Sequence, residues 1–219
     1  MGCAYGNVVL AALNAGAAQV IACDMEKEHL KILEQAVHYK DVDRLQTIQG
    51  SFPKHFDFKK NSIGAIHASH ILEFLNGNQM TLGLKKFHHW LKPGGKLFIL
   101  CYTIFIKELV NEAFIAEYSR RKNNKEPWPG YLENFDNYTS SQNSIEKTKN
   151  DPFPSALHVY EKSILVDALT QAGFSIELAT YLDGKSNGAM QDTWFDGREY
   201  IGIIATKVAS SHLQDSILK

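Results

Sequence analysis

The amino-acid sequence predicts an α/β protein in which a mostly parallel sheet is covered by helices on both faces. Through the first hundred residues, short apolar segments alternate with segments of helical periodicity. Such alternation is typical of parallel βαβ units, whose strands are buried on both faces. Two further strand-like segments come late, at residues 174–181 and 200–206, with no helical pattern between them. They predict an antiparallel pair at one edge of the sheet.

Apolar residues at helical spacing predict the helices, and glycine marks the ends of two of them. The first helix ends at Gly16 and the last at Gly173, where glycine supplies the left-handed conformation of a C-terminal cap. The second helix begins with Glu26 and Glu28, which the helix dipole favours in a first turn. The predicted helices cover residues 7–15, 26–39, 80–91, 103–122 and 161–172.

The predicted strands are short and apolar, as expected for strands inside a sheet. The turn Lys92-Pro93-Gly94-Gly95 introduces the fourth of them. In chain order the predicted strands cover residues 19–23, 45–49, 63–68, 96–100, 174–181 and 200–206.

A single domain is predicted for residues 1–207, followed by a C-terminal tail at 208–219. The alternation stops after Tyr102, and a polar stretch dotted with aromatic residues runs from residue 123 to about residue 154. This stretch is too long for a plain connection. We therefore expect residues 103–158 to form a lid-like insertion in which most of the aromatic side chains build a small core of their own.

Composition excludes several classes of protein. The formal net charge of -1 argues against a large nucleic-acid footprint, because phosphate binding draws on a surplus of Lys and Arg. The three cysteines, Cys3, Cys23 and Cys101, are widely spaced and end apolar stretches, which favours buried reduced thiols over disulfides or a metal site. Since the sequence shows neither a membrane-spanning apolar run nor a secretory signal, we expect no membrane association and a cytoplasmic location.

The start of the chain has the pattern of a loop that binds a nucleotide cofactor. Gly2 and Gly6 allow a tight turn and a close approach to a ligand, and the helix after them directs free N–H groups toward the loop. Asp24 follows a predicted strand, at the place where a carboxylate would hold a ribose. A loop of this kind normally follows a buried strand, yet only Met1 precedes Gly2.

The order of these motifs resembles that of the class I S-adenosylmethionine-dependent methyltransferases, from Gly2 to about Lys207. The loop of residues 2–7 is similar to the glycine loop of that family, and residues 67–74 are similar to its fourth-strand signature. The resemblance implies a Rossmann-like sheet of the seven-stranded type and S-adenosylmethionine as cofactor. It implies these cofactor-binding residues: Gly2, Cys3, Ala4, Tyr5, Gly6, Asn7, Asp24, Met25, Gly50, Ser51, Phe52, Ser69 and His70.

Two departures from the family pattern affect the details. The family's first strand, which normally precedes the glycine loop, is missing or truncated here, so we expect either a chain that naturally begins further upstream or a rearranged sheet. Ser51 stands where many relatives carry an aspartate that contacts adenine.

Methyl transfer from a sulfonium is an in-line displacement that needs alignment more than a dedicated catalytic group. If the acceptor loses a proton, the candidate bases near the predicted strand ends are His70, Tyr102 and His158. We expect no metal, and a small-molecule acceptor, with RNA and protein acceptors left open. The alternatives are a nicotinamide-dependent oxidoreductase and a non-catalytic protein with the methyltransferase fold.

Overall fold

The computed structural model describes residues 1–109, 111–138, 156–185 and 196–209. The chain divides into two compact units, an N-terminal unit, Met1–Phe58, and a C-terminal unit, Lys59–Lys219. Part of the expected polar stretch, residues 186–195 between the two late strands, and most of the expected tail lie outside the described residues. The prediction of a single domain with a lid-like insertion stays a prediction.

The N-terminal unit is a two-stranded parallel sheet packed against helices. Its elements are α1 (Asn7–Asn14), β1 (Val20–Asp24), α2 (Lys27–Ala36), a 3-10 helix (Tyr39–Arg44) and β2 (Leu45–Gln49). In the register of the two strands, Val20 lies opposite Leu45 and Asp24 opposite Gln49. Apolar side chains from both helices and from β1 form its core, and they include Val9, Leu13, Ala22, Leu33 and Val37.

The C-terminal unit contains a four-stranded sheet in the order β3-β4-β8-β7. Its main elements are β3 (Ile63–Ser69), α3 (Gly77–Trp90), β4 (Leu91–Tyr102), α5 (Lys162–Gln171), β7 (Phe174–Leu182) and β8 (Tyr200–Lys207). A 3-10 helix, Leu72–Phe74, follows β3. The side chain of Asn76 accepts from the backbone N–H of Gln79 in a capping box, which sets where α3 begins.

Residues of the expected insertion contribute to a separate hydrophobic core in this unit. Its regular elements include α4 (Glu112–Asn123), β5 (Tyr131–Leu132) and β6 (Leu157–His158), and β5 pairs antiparallel with β6. Aromatic and aliphatic side chains pack together between them: Ile106, Leu109, Phe114, Tyr118, Leu132, Phe135, Leu157 and Val159.

The sheet differs from the predicted one, although the α/β class is correct. Within the described ranges, β1–β2 and β3–β4 are parallel pairs, whereas β8 runs antiparallel to both β4 and β7. The late antiparallel pair is therefore confirmed. A mostly parallel sheet of the seven-stranded type is not confirmed, because the described strands form a mixed four-stranded sheet and two two-stranded ones. In these ranges no strand precedes Val20.

The helix predicted for residues 103–122 begins only at Glu112. After β4 the chain forms a turn and a 3-10 helix, Lys107–Leu109, and long-range backbone hydrogen bonds hold the start of this segment. The N–H of Thr103 donates to the carbonyl of Glu199 at 2.9 Å, and the N–H of Ile104 donates to that of Tyr160 at 3.2 Å. The side chain of Asn111 then accepts from the N–H of Phe114 and caps the helix.

All three cysteines are free thiols, and Cys23 and Cys101 are buried. Cys3 is only partly buried, which differs from the prediction. Burial is the main cause that raises the pKa of the Cys23 thiol to about 11. Within the described ranges, no helix has both the length and the apolar character that crossing a bilayer requires.

Candidate functional site

The glycine loop of residues 2–7 has a backbone conformation that L-residues rarely adopt. Gly2, Ala4 and Gly6 have φ values of 62°, 44° and 86°. A Cβ atom added at Gly6 would lie 2.3 Å from Cδ1 of Leu33, so only glycine fits against α2. The carbonyl of Gly6 accepts from the N–H of Leu10 at 2.8 Å, and α1 begins directly after the loop.

Asp24 ties this loop to the carboxyl end of β1. Its side chain is 7% exposed, and Oδ2 accepts from the N–H of Ala4 at 2.7 Å. Oδ1 accepts from the N–H of Glu26 at 3.0 Å and lies 3.3 Å from Nδ1 of His29. The backbone adds a further tie, because the N–H of Cys3 donates to the carbonyl of Cys23 at 3.0 Å. Both oxygens of this carboxylate therefore have partners.

The predicted adenine-flanking loop lies at the same end of the N-terminal unit. The N–H of Gly50 donates to the carbonyl of Asp24 at 2.8 Å. A Cβ atom at Gly50 would lie 2.9 Å from Cβ of His55, and the N–H of Ser51 donates to Nδ1 of His55 at 3.0 Å. Phe52 is buried, at 5% exposure.

The N-terminal unit thus brings together three of the predicted cofactor-binding segments. A carboxylate offers about four acceptor positions, so Asp24 keeps capacity for a hydroxyl beyond its three protein partners. Tyr5 and Met25 add apolar surface, with exposed fractions of 56% and 62%. Turned backbone, a buried carboxylate at a strand end and nearby apolar side chains fit the adenosine part of a nucleotide-like cofactor.

The C-terminal unit holds the other candidates, and one of them, His70, lies in a segment of residues 70–75 that follows β3. Ser69 ends β3, opposite Leu100 of β4. His70 has a left-handed backbone conformation with φ of 50°, and its N–H donates to the carbonyl of Leu100 at 2.9 Å. Its ring lies 5.0 Å from the ring of Tyr102 and 5.4 Å from that of Tyr200.

Glu73 is the residue at this site that sequence reasoning missed. It is 1% exposed, and its Oε1 lies 3.0 Å from Nδ1 of His70 and accepts from the N–H of Tyr102 at 2.9 Å. Oε2 is buried, and no hydrogen-bond partner for it occurs in the described ranges. The spacing of His70 and Glu73, three residues apart, was the signal in the sequence that could have revealed the pair.

His158 lies at the end of the short strand β6, but it is buried rather than open to a ligand. It is 1% exposed, its ring stacks on Tyr160 at 4.3 Å, and Nδ1 lies 2.8 Å from the carbonyl of Leu75. Burial lowers the pKa of His158 to about 4, against an opposing effect of the Leu75 hydrogen bond. The hydroxyl of Tyr160 donates to the carbonyl of Leu72 at 2.7 Å. His158 and Tyr160 therefore anchor both ends of the 3-10 helix that carries Glu73.

Comparison with known proteins gives a family match for part of the chain and a similar fold for most of it. Residues 1–95 match the model of a family described as a methyltransferase domain. Comparison with curated proteins gives no match.

Solved structures with a similar fold include an S-adenosylmethionine-dependent methyltransferase from Mesorhizobium loti. It is 14% identical with a TM-score of 0.67, over 94% of this chain and 88% of that one. A putative S-adenosylmethionine-dependent methyltransferase from Listeria monocytogenes is 17% identical with a TM-score of 0.66, over 95% and 89%. A glycopeptide N-methyltransferase complexed with S-adenosylmethionine is 16% identical with a TM-score of 0.57, over 95% and 80%.

The chain has the fold of the S-adenosylmethionine-dependent methyltransferases. Residues 1–95 also match the model of a methyltransferase domain. The fold that the resemblance implies is therefore confirmed, and the match over residues 1–95 favours methyl transfer over the nicotinamide-dependent alternative.

Proposed function

We propose that the protein transfers the methyl group of S-adenosylmethionine to a small molecule that carries a hydroxyl or an amine. The proposal rests on one observation: residues 2–7 and residues 50–52 both form hydrogen bonds to Asp24. The N–H of Ala4 binds the Asp24 carboxylate at 2.7 Å, and the N–H of Gly50 binds its carbonyl at 2.8 Å. These contacts shape the end of β1 at which a ribose and an adenine would bind.

In this proposal each cofactor contact has a stated role. Asp24 accepts the ribose hydroxyls, the backbone of residues 2–7 contacts the rest of the cofactor, and Met25 with residues 50–52 flanks the adenine. In the C-terminal unit, Ser69 and His70 stay predicted contacts. S-Adenosylmethionine supplies a methyl carbon that its sulfonium already activates, so the protein contributes alignment and the exclusion of water.

His70 is the favoured base among the three candidates. Its side chain keeps 38% exposure, whereas His158 is 1% exposed and has its Nδ1 at the carbonyl of Leu75. The phenol of Tyr102 is a weaker base at neutral pH, because a tyrosine is normally protonated there. His70 would therefore accept the proton that the acceptor loses.

Two observations support a small acceptor. The formal net charge of -1 gives little attraction for a polyanion. Beside β6, the aromatic side chains of Tyr118, Trp128 and Tyr160 line a surface depression. Aromatic lining is typical of small-molecule sites.

Calorimetry with S-adenosylhomocysteine tests cofactor binding, and NAD serves as the control ligand. We expect heat of binding with the first and none with the second. Transfer of a radiolabelled methyl group from S-adenosylmethionine is then measured with three separate acceptors, namely a pool of small alcohols and amines, total RNA, and protein extract. Label in RNA or protein would refute the small acceptor. Absence of binding would favour the non-catalytic alternative.

A further inference from the structure

We infer that Glu73 is a positioning residue for His70, holding its ring with Nδ1–H toward the carboxylate and Nε2 as the proton acceptor. The inference rests on the proposed function, in which His70 takes a proton from the methyl acceptor. Its structural basis is the contact of 3.0 Å between Oε1 of Glu73 and Nδ1 of His70. Glu73 itself is 1% exposed and touches the reaction only through the histidine.

The chemistry of the two groups determines which ring nitrogen carries the hydrogen. An ionised carboxylate accepts hydrogen bonds but donates none, so Nδ1 must be the donor in this contact. In the neutral ring, Nε2 then keeps the lone pair. Because the His70 side chain is 38% exposed while Glu73 is sealed, the ring is the reachable member of the pair.

The backbone of His70 is held in a conformation that needs support. A residue other than glycine at a φ of 50° is strained by roughly 1–3 kcal/mol and persists only where its surroundings determine it. Here the support comes from the N–H bond to Leu100 at 2.9 Å, the Glu73 contact, and the flanking rings of Tyr102 and Tyr200. Such conformations cluster at functional sites.

A purely structural role does not explain why residue 73 is an acid. The structural task in this segment is to accept the N–H of Tyr102, and a neutral amide oxygen would do so. The acid instead buries Oε2 without a partner in the described ranges, which is unfavourable. The negative charge of Glu73 stabilises the His70 ring once that ring is protonated, because opposite charges attract strongly in a medium of low dielectric constant.

The proposed step balances atoms and charge. The lone pair of the acceptor oxygen or nitrogen forms the bond to the methyl carbon, and the electrons of the broken C–S bond go to sulfur. The proton of the acceptor passes to Nε2 of His70. Glu73 stays ionised and stabilises the imidazolium until the proton leaves to solvent.

The test compares the full-length protein with Glu73→Gln by nitrogen NMR of the histidine rings. At about pH 9, where histidine side chains are generally neutral, we expect His70 of the wild type in the Nδ1–H form. In Glu73→Gln we expect a mixture of both forms, because a neutral amide oxygen accepts less strongly than a carboxylate and the amide NH₂ can donate instead. His70→Asn assigns the signals.

Two controls separate positioning from general damage. Phe74→Leu alters an exposed neighbour in the same 3-10 helix and should leave the His70 signals unchanged. His29, which pairs with Asp24, is an internal reference that Glu73→Gln should not move. S-Adenosylhomocysteine affinity should be the same in the wild type and Glu73→Gln, while kcat measured with S-adenosylmethionine and the pool of small alcohols and amines falls about tenfold or more.

Three results would overturn the inference: identical His70 signals in wild type and Glu73→Gln, an Nε2–H ring in the wild type, or an unchanged kcat. The wild-type spectrum alone decides the tautomer if Glu73→Gln fails to fold. Failure of the proposed function looks different. In that case S-adenosylhomocysteine does not bind, yet the His70 signals still respond to Glu73→Gln.

Discussion

The glycine loop of residues 2–7 and the segment of residues 70–75 are held by different means. The shape of the loop is determined mainly by its backbone, because Gly2, Ala4 and Gly6 have positive φ values that fix its turns. The segment that follows β3 depends instead on side chains that come from far along the chain. His158, at the end of β6, and Tyr160, just after it, hold the segment at the carbonyls of Leu75 and Leu72.

The two regions also use a buried carboxylate differently. Each carboxylate meets one imidazole and at least one backbone N–H. Asp24 has partners on both oxygens, whereas Glu73 gathers both of its partners on Oε1. The difference indicates that the fold requires the acid at position 24 for its own contacts. At position 73 an amide would satisfy the same contacts, so the acid there indicates a role in the reaction through His70.

The largest effect is expected from filling the space at Gly6. In Gly6→Ala, a Cβ atom that would lie 2.3 Å from Leu33 and a φ of 86° both oppose folding. Overpacking costs about 1–3 kcal/mol and the left-handed backbone about 1–2 kcal/mol, so we expect a loss of roughly 2–5 kcal/mol in urea unfolding. Gly16→Ala is the matched control, because Gly16 has a φ of 88° and nothing within 4 Å of a Cβ atom. Equal losses would show that backbone strain alone explains the loop.

The next effect concerns the anchor at His158 and depends on pH. Burial lowers the pKa of His158 to about 4, so the unfolded chain binds the proton first as the pH falls. Its contribution to stability is complete above the ordinary value of about 6.5 and is lost toward pH 4, a change of roughly 3 kcal/mol. Urea unfolding at about pH 7 and about pH 4.5 measures the loss, most of which falls in this window.

His158→Gln keeps a donor for the carbonyl of Leu75 but does not titrate in this range. Its stability should therefore fall less between the two pH values than that of the wild type. If both proteins lose the same stability between the two pH values, another group causes the pH dependence and His158 does not.

Replacing the acid at position 24 should have an intermediate effect. Asp24→Asn places an NH₂ group against one of the N–H donors that the carboxylate satisfies, Ala4 or Glu26. We expect a loss of about 1–3 kcal/mol in stability and at least about tenfold in affinity for S-adenosylhomocysteine. Glu28→Gln, at an exposed acid of the same unit, is the control for charge. Unchanged affinity in Asp24→Asn would refute the ribose assignment.

The smallest effect on stability is expected for Glu73→Gln. Its amide oxygen still accepts from Tyr102 and His70, and Oε2 has no partner in the described ranges to lose. We therefore expect a change below about 1 kcal/mol in either direction, measured by urea unfolding. A loss as large as that of Asp24→Asn would remove the contrast between the two carboxylates.

Features that depend on nearby residues could be predicted from the sequence. The bounds of β2, Leu45–Gln49, are predicted to the residue, since an apolar run and its flanking turns are local signals. The glycine loop and Asp24 could also be predicted, because the spacing of two glycines and an acid at the end of a strand are local signals in the sequence. Whether they bind the cofactor stays a prediction.

Features that depend on distant residues could not be predicted. Tyr102 meets Glu73 across 29 positions, and Tyr160 meets Leu72 across 88. The start of α4 was misplaced because Thr103 is bound to Glu199, far along the chain. The position of β8 between β4 and β7 also depends on pairing between distant segments, which no local pattern specifies.

The anchoring of the 3-10 helix by β6 has a consequence for protein engineering. A graft that exchanges residues 103–160 for those of another enzyme would also remove His158 and Tyr160, the donors that bind the carbonyls of Leu75 and Leu72. Acceptor preference is therefore best redesigned with residues 157–160 retained, so that a new acceptor surface is joined to an intact support for His70 and Glu73.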